Sequence, residues 1–310
     1  MSLRNIPLLF LIYFLNAQIA LPTFQAVHKP HTTLSSSGPY TFTNCGTTGK
    51  NGPSQSDCNS EYSDTSLDGD VTVSSGIQTW TVPSSGVYTI EVWGADGGDG
   101  DSRHSHHSLG GNGRKLKANY TLAQGSALKI LVGQSGSTGT SWWYAGGGGG
   151  GTYVCYSDNT PIIIASGGNG GSWGYWNVNG PDGLFSNSGN TNGGSTNGRA
   201  GGGGGLISNG TEFSGHSDSK GISFTNGGTG GLKISSGSGV SGDGGFGGGG
   251  GSLYEGGGGG GYNGGTVVNT NSYNNAYLSY GAGSFTADNA SSIVDIGTND
   301  GVGKVIITKN

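Results

Sequence analysis

The chain has 310 residues, of which 70 are glycine, only 31% are apolar and only 10% are charged. Glycine stands at about three times its usual share, yet the low charge separates this composition from acidic or basic disordered tails. Eight prolines and the lack of a G-X-Y period exclude a collagen triple helix. A net charge of -5, from 13 Lys+Arg against 18 Asp+Glu, leaves no basic surface to displace counterions, which excludes nucleic acid as a partner.

In chain order, the first element is a leader. Arg4 precedes an apolar run from Ile6 to Leu15 broken only by Pro7, and small residues follow at Ala17 and Ala20. This pattern predicts a secretory signal peptide over residues 1–20, cleaved between Ala17 and Ala26. The run is too short to cross about 30 Å of hydrocarbon, and no later apolar stretch approaches 18 residues. An exported, soluble product without a membrane span is therefore expected. Residues 21–38, with Pro22, Pro30 and a Ser/Thr cluster, read as a disordered leader or a removed propeptide.

Cys45 and Cys58 enclose twelve residues rich in small polar types, a loop whose closure by a disulfide contributes roughly 3 kcal/mol in an oxidising compartment. Cys155, flanked by Tyr153, Val154 and Tyr156, reads as a small buried hydrophobe, with an intermolecular bridge as the alternative. Three sequons, at Asn119, Asn209 and Asn289, are glycan acceptors if the route of export is eukaryotic.

Residues 39–145 and 266–310 carry short β-branched and aromatic runs between turn residues, the signature of an all-β domain. Tyr88, Ile90 and Val92 alternate with Thr89 and Glu91. Leu116, Ala118, Tyr120 and Leu122 alternate with Lys115, Lys117, Asn119 and Thr121, which puts the Asn119 sequon on a polar face. Further strands are expected at Ile77–Val82, Leu128–Val132, Thr152–Tyr156, Pro161–Ala165, Ala276–Ser284 and Val302–Thr308. No useful length shows a 3.6-residue period, so helix should be scarce.

Residues 146–265 hold 47 of the 70 glycines, with unbroken runs at 146–151, 201–205, 247–251 and 256–261. A flexible linker is the ordinary reading, because ordering each glycine costs about 1–2 kcal/mol and buries no side chain. Phe185, Phe213, Phe224, Phe246 and Tyr254, spaced among the runs, argue against it. The alternative is a bundle of extended polyglycine-II helices with three residues per turn, whose backbone groups project sideways and bond to neighbouring backbones that only glycine lets approach.

The stretch Cys45 to Gln55, then Cys58, Tyr62 and Gly76 to Pro83, followed by Gly94-Ala95-Asp96-Gly97-Gly98, Leu128 to Gln134, the Gly146 run into Thr152-Tyr153-Val154, Ile162 to Gly168 and Gly244 to Gly265, resembles the extracellular glycine-rich domain of anaplastic lymphoma kinase and leukocyte tyrosine kinase receptors. The resemblance runs from about Tyr40 to Thr308. It implies a tumour-necrosis-factor-like β-sandwich with an inserted lattice of polyglycine helices, a secreted protein ligand or cell-surface partner, and a ligand-induced dimer. The sequence departs from those receptors in having neither a kinase domain nor a membrane span, and Cys155 stands where an aromatic is expected.

Motifs for chemistry are weak. Gly242, Gly244 and Gly247 fit G-x-G-x-x-G, but chance alone supplies about three or four such matches at this glycine frequency. Gly46 to Lys50 imitates a phosphate loop with Asn51 in the Ser/Thr position. His104, His106 and His107 beside Arg103 offer imidazoles to a metal, against the plainer reading of a polar hairpin tip. Asp96, Asp99 and Asp101 offer carboxylates to calcium but miss the G-G-x-G-x-D repeat. Neither a catalytic constellation nor a cofactor site is expected. The functional reading is a secreted, non-catalytic recognition module. The alternatives are a structural or adhesive extracellular protein, or a truncated ectodomain of a receptor tyrosine kinase.

Overall fold

The computed structural model describes residues 38–100, 108–140, 144–173, 178–186, 191–234, 240–268 and 279–310. The leader, at 1–37, and the histidine tip, at 101–107, lie outside the described residues.

Alternation of apolar and polar residues builds two antiparallel sheets. The first joins β1 (Tyr40–Phe42), β4 (Gly86–Trp93), β5 (Gly113–Leu122), β10 (Ser291–Asn299) and β11 (Lys304–Lys309) in the order β1-β11-β4-β5-β10. The second joins β2 (Val71–Ser74), β3 (Ile77–Thr81), β6 (Ala127–Leu131), β7 (Thr152–Tyr156), β8 (Pro161–Ala165) and β9 (Phe285–Thr286), with β2 and β9 as its edges. Their inner faces make one apolar core. Phe42, Tyr88, Ile90, Val92, Leu116, Tyr120 and Ile307 from the first sheet meet Trp80, Leu128, Ile130, Val154 and Ile163 from the second. The chain is an all-β sandwich.

The one α-helix among the described residues, α1 (Gln55–Glu61), starts inside the loop closed by the Cys45–Cys58 disulfide and carries Cys58 itself. Ser54 and Asp57 form a reciprocal capping box, in which the Asp57 amide donates to Ser54 Oγ (3.2 Å) and the Ser54 amide to Asp57 Oδ2 (2.8 Å). The Ser54 hydroxyl, which donates to Asp57 Oδ2 (2.6 Å), and then the Ser54 amide hold the Asp57 carboxyl below its usual range.

Strands β3, β6, β7 and β8 fall where alternation and apolar runs place them, to within a residue or two. In β8, three consecutive isoleucines are all buried because both faces of this sheet are covered; the pairing slips between Val154 and Cys155, so Ile162 and Ile163 both face the sandwich while Ile164 faces away. Two expected strands need correction. Residues 279–284 of the expected Ala276–Ser284 strand are not a strand, and the preceding ones are outside the described set. Here the Gly283 amide bonds to Asn263 O (3.0 Å) and Ala282 O accepts from Leu184 (2.8 Å), so the backbone is taken up by glycine-rich neighbours and only Phe285–Thr286 pairs as β9. Likewise β11 begins at Lys304 instead of Val302, because the Gly303 amide goes to Gly133 O (2.8 Å). Strands β2 and β10 carry no clear sequence signal. In β10, Ser292 and Gly297 have positive φ (52° and 101°) and two register shifts destroy the period.

The glycine runs are ordered by lateral backbone hydrogen bonds. From Gly146 to Gly151 the amides point in turn to three neighbours: Gly146 and Gly149 donate to Gly171 and Gly168, Gly147 and Gly150 to Ser137 and Gln134, and Gly148 and Gly151 to Gly250 and Gly247, all at 2.8–2.9 Å. Amides three residues apart therefore share one neighbour. Gly201 and Gly204 repeat the pattern onto Gly251 and Gly248, as do Gly257 and Gly260 onto Gly146 and Gly149. Segments outside 146–265 join in: the Ala95 and Gly98 amides bond to Gly150 and Gly147, and Gly136 to Asp96. Most of these glycines have no positive φ; what they need is space. At Gly204 an added Cβ would stand 2.6 Å from Ile222 O and 2.7 Å from its carbonyl carbon.

Candidate binding face

The two sheets differ in what covers their outer faces. Along the second sheet, Leu131, Tyr153, Cys155 and Ile164 point away from the sandwich and are buried under Leu206, Phe224 and Phe246 from the glycine-rich segments. Tyr153 stacks on Phe224 (5.0 Å between centroids) and its hydroxyl donates to Gly261 O (3.0 Å). Cys155 is a free, fully buried thiol, and burial foremost raises its pKa. That matches its expected place in the core.

The outer face of the first sheet has no such cover among the described residues, and its side chains are half-buried or exposed. Its registers line up rows of side chains across the strands. Lys304, Trp93 and Lys115 are direct cross-strand partners, and both lysine ammonium groups lie against the indole, 4.4 and 5.0 Å from the ring centroid. The indole N–H donates to Glu91 Oε1 (2.6 Å). The next row is Ile306, Glu91, Lys117 and Val294. The third is Thr308, Thr89, Asn119 and Ser291, where Thr89 donates to Asn119 Oδ1 (2.8 Å). In a chain of net charge -5, three lysines against one glutamate make this face locally positive. Sequence reading found Lys115 and Lys117 as the polar side of a strand but missed the Lys–Trp–Lys row, which needs the register of three strands.

A cleft of about 600 Å³ beside the loops carries the opposite charge, with Asp96, Asp99, Asp182 and Asp300 on its wall. Burial pushes the Asp96 carboxyl above its usual range; a Ser135 hydrogen bond opposes this, and the like charges of Asp300 and Asp99 add to it. Two of the other carboxylates hold backbone. Asp99 Oδ1 accepts from the Gly110 amide (2.8 Å) and Asp182 Oδ1 from the Asn112 amide (2.7 Å). Asp96 and Asp99 thus share the cleft, while Asp101 lies outside the described residues. Among the described residues no group of three or more His, Cys, Asp and Glu is placed to hold a metal ion.

The G-x-G-x-x-G look-alike has its glycine amides committed to backbone carbonyls. Gly242 donates to Ala145 O (3.0 Å) and Gly244 to Gly231 O (2.8 Å). In the disulfide loop, Gly49 O and Lys50 O accept from Phe246 (2.8 Å) and Gly230 (2.9 Å), which ties that loop to the glycine-rich segments.

The sequon asparagines are widely different in setting. Asn119 is half-buried on the open face, Asn289 is exposed in the turn before β10, and Asn209 is half-buried with its Oδ1 accepting from the Ser223 amide (2.9 Å) and Asn226 Nδ2 (3.0 Å). No helix among the described residues is long and apolar enough to cross a membrane.

The sandwich with one covered and one open sheet face defines a β-rich module. The chain is 38% identical over 108 residues, 33% of its length, to the leukocyte tyrosine kinase receptor of Mus musculus. That stretch is 12% of the receptor, so the similarity relates the chain in part to a receptor of this type. No protein-family model matches.

Proposed function

We propose that the chain is an exported, non-catalytic glycine-rich recognition module, comparable to part of the ectodomain of such a receptor, that binds an extracellular protein partner through the open face of the first sheet. Residues 1–20 are its signal peptide and 21–38 a leader; 39–145 and 266–310 supply the sandwich, and the 146–265 segment forms polyglycine-II helices that act as a rigid backing. The carrying observation is the 38% identity over 108 residues to a tyrosine kinase receptor. The open face supports it by offering an aromatic flanked by cations, the kind of group that anchors protein interfaces.

The test is saturable binding of the purified protein, secreted by its own cells, to those same cells. Wild type is compared with the Lys115→Glu/Lys304→Glu and Trp93→Ala variants, all checked for unchanged thermal unfolding. Saturable binding that weakens at least tenfold in the variants is expected. Absence of saturable binding refutes recognition, and equal binding by the variants refutes the choice of face.

A further inference from the structure

Two sequons that lie 170 residues apart in the chain meet on the first sheet. The Asn289 sequon ends at Ser291, and Ser291 is the direct cross-strand partner of Asn119 in the β5–β10 ladder. Asn289 is exposed in a turn closed by the Ala290 amide on Ala287 O (2.9 Å), immediately before β10. Asn119 lies one strand inward on the outer face. Nothing in the sequence marks these sites as neighbours, since the pairing of β10 is irregular.

Strand β10 is an edge of its sheet, and residues 291–295 are all exposed. Ile293 and Val294 are 44% and 41% exposed on it. An edge carrying β-branched apolar residues and unpaired backbone groups is a template for pairing with another chain. The register shifts, the positive φ of Ser292 and the Asp295–Arg114 ion pair roughen this edge; they do not cover it. A branched glycan is bulky, hydrated and held away from the backbone, and it covers a strand without pairing to it.

We infer that Asn119 and Asn289 both carry N-linked glycans, which together cover the β10 edge and keep it from pairing with a second copy of the chain. The inference rests on the export proposed above. The two glycans occupy the β5–β10 corner of the open face and leave the Lys304–Trp93–Lys115 row, four residues from the Asn119 row along each strand, free. Protein recognition and glycan cover thus divide one sheet face. Asn209, whose side-chain oxygen is engaged by Ser223 and Asn226, stands apart from this corner and serves as an internal reference.

The experiment uses the full chain secreted from eukaryotic cells. Site occupancy is read by peptide mass after enzymatic glycan removal in heavy-oxygen water, and association by sedimentation over a hundredfold concentration range. Occupancy at Asn119 and Asn289 and a monomeric wild type are expected. Asn119→Gln/Asn289→Gln should self-associate at concentrations at least tenfold lower, and adding Ile293→Lys should restore the monomer. Protein in the medium with either site empty overturns the inference while export stands, as does a doubly substituted chain that stays as monomeric as wild type. Self-association that Ile293→Lys leaves unchanged overturns the role of the edge. Retention in the cytosol overturns export and the inference with it.

Discussion

Gly204→Ala tests whether the glycine-rich segments are held by close backbone contact. Gly204 does not have positive φ, so its conformation is open to any residue and only space forbids one. A methyl there would stand 2.6 Å from Ile222 O and 3.0 Å from the Ser223 nitrogen, against ordinary contacts of about 3.5 Å. Ile222 and Ser223 cannot yield freely, because their amides are bonded to Thr229 O and Asn209 Oδ1, each at 2.9 Å. Overpacking of this kind costs about 1–3 kcal/mol. The displacement also weakens the Gly204 bond to Gly248 O (2.7 Å) and the Gly261 bond to Gly204 O (3.2 Å), worth about 1 kcal/mol each. The lower entropy of an unfolded alanine returns about 0.4–1 kcal/mol. The net is a loss of about 2–4 kcal/mol, or roughly 4–15 °C in thermal midpoint for a chain of this size. Calorimetry should be run beside substitutions at Gly69, where φ is +79° and nothing lies within 4 Å of an added Cβ. Asparagine tolerates that backbone better than alanine does, so at Gly69 Asn should cost less than Ala, whereas at Gly204 the larger Asn should cost more. Wild-type stability of Gly204→Asn, or the same ranking at both sites, would refute the argument.

Amides of residues 146–151 should exchange with deuterium orders of magnitude more slowly than those of an unstructured peptide, as each donates to a neighbouring segment; mass spectrometry of pepsin fragments reads this, and intrinsic-rate exchange contradicts it. Replacing Cys45 and Cys58 together by alanine opens a loop of sequence separation 13 and should cost about 3 kcal/mol in urea unfolding. Cys155, buried and with its pKa raised, should react with a disulfide reagent only at the rate of unfolding, and Cys155→Ser should lose about 1–3 kcal/mol by burying a hydroxyl among apolar groups. For Asp96 the folded pKa is raised, so the folded state holds its proton more tightly than the unfolded chain does. Its contribution is therefore intact at low pH and is lost as pH rises from 3.8 through the folded value. Asp96→Asn should melt higher than wild type at pH 7 and no higher at pH 3, and a gain of equal size at both pH values would contradict the burial of this carboxyl.

What was legible in the sequence follows from where side chains carry the code. In β4 and β5 each inward Tyr, Ile, Val or Leu is flanked by a polar residue, and burial in the sandwich follows that alternation almost without exception. Cys45 and Cys58 were legible for the same reason, as two oxidisable groups across one short polar loop. The glycine runs could be recognised as packed segments because Phe224 and Phe246 among them had to be buried somewhere. Their neighbours could not be read, since every glycine amide offers the same donor and nothing in the sequence says that the Gly148 amide bonds to Gly250 while its α-carbon packs against Gly258. The open face failed for a related reason. Trp93 is separated by 22 residues from Lys115 and by 211 from Lys304, and only the registers of β5 and β11 against β4 bring the three together.

The covering of the second sheet decides how the two architectures depend on each other. Without the glycine-rich segments, Leu131, Tyr153, Cys155 and Ile164 would form a continuous apolar face, one that a β-sandwich exposes only at the risk of aggregation. Without the sheet, the glycine-rich segments would have backbone bonds but no apolar surface against which to bury Leu206, Phe224 and Phe246, and backbone hydrogen bonds alone do not offset the entropy of ordering so much glycine. Each supplies what the other lacks. Gly52 shows how closely they are joined, for an added Cβ there would stand 2.5 Å from both Gly76 Cα, in the turn between β2 and β3, and the Phe246 ring. Sheet, disulfide loop and glycine segment meet there at van der Waals contact, so the glycine-rich region is part of the folded body and the sheet face it leaves uncovered is that of the opposite sheet.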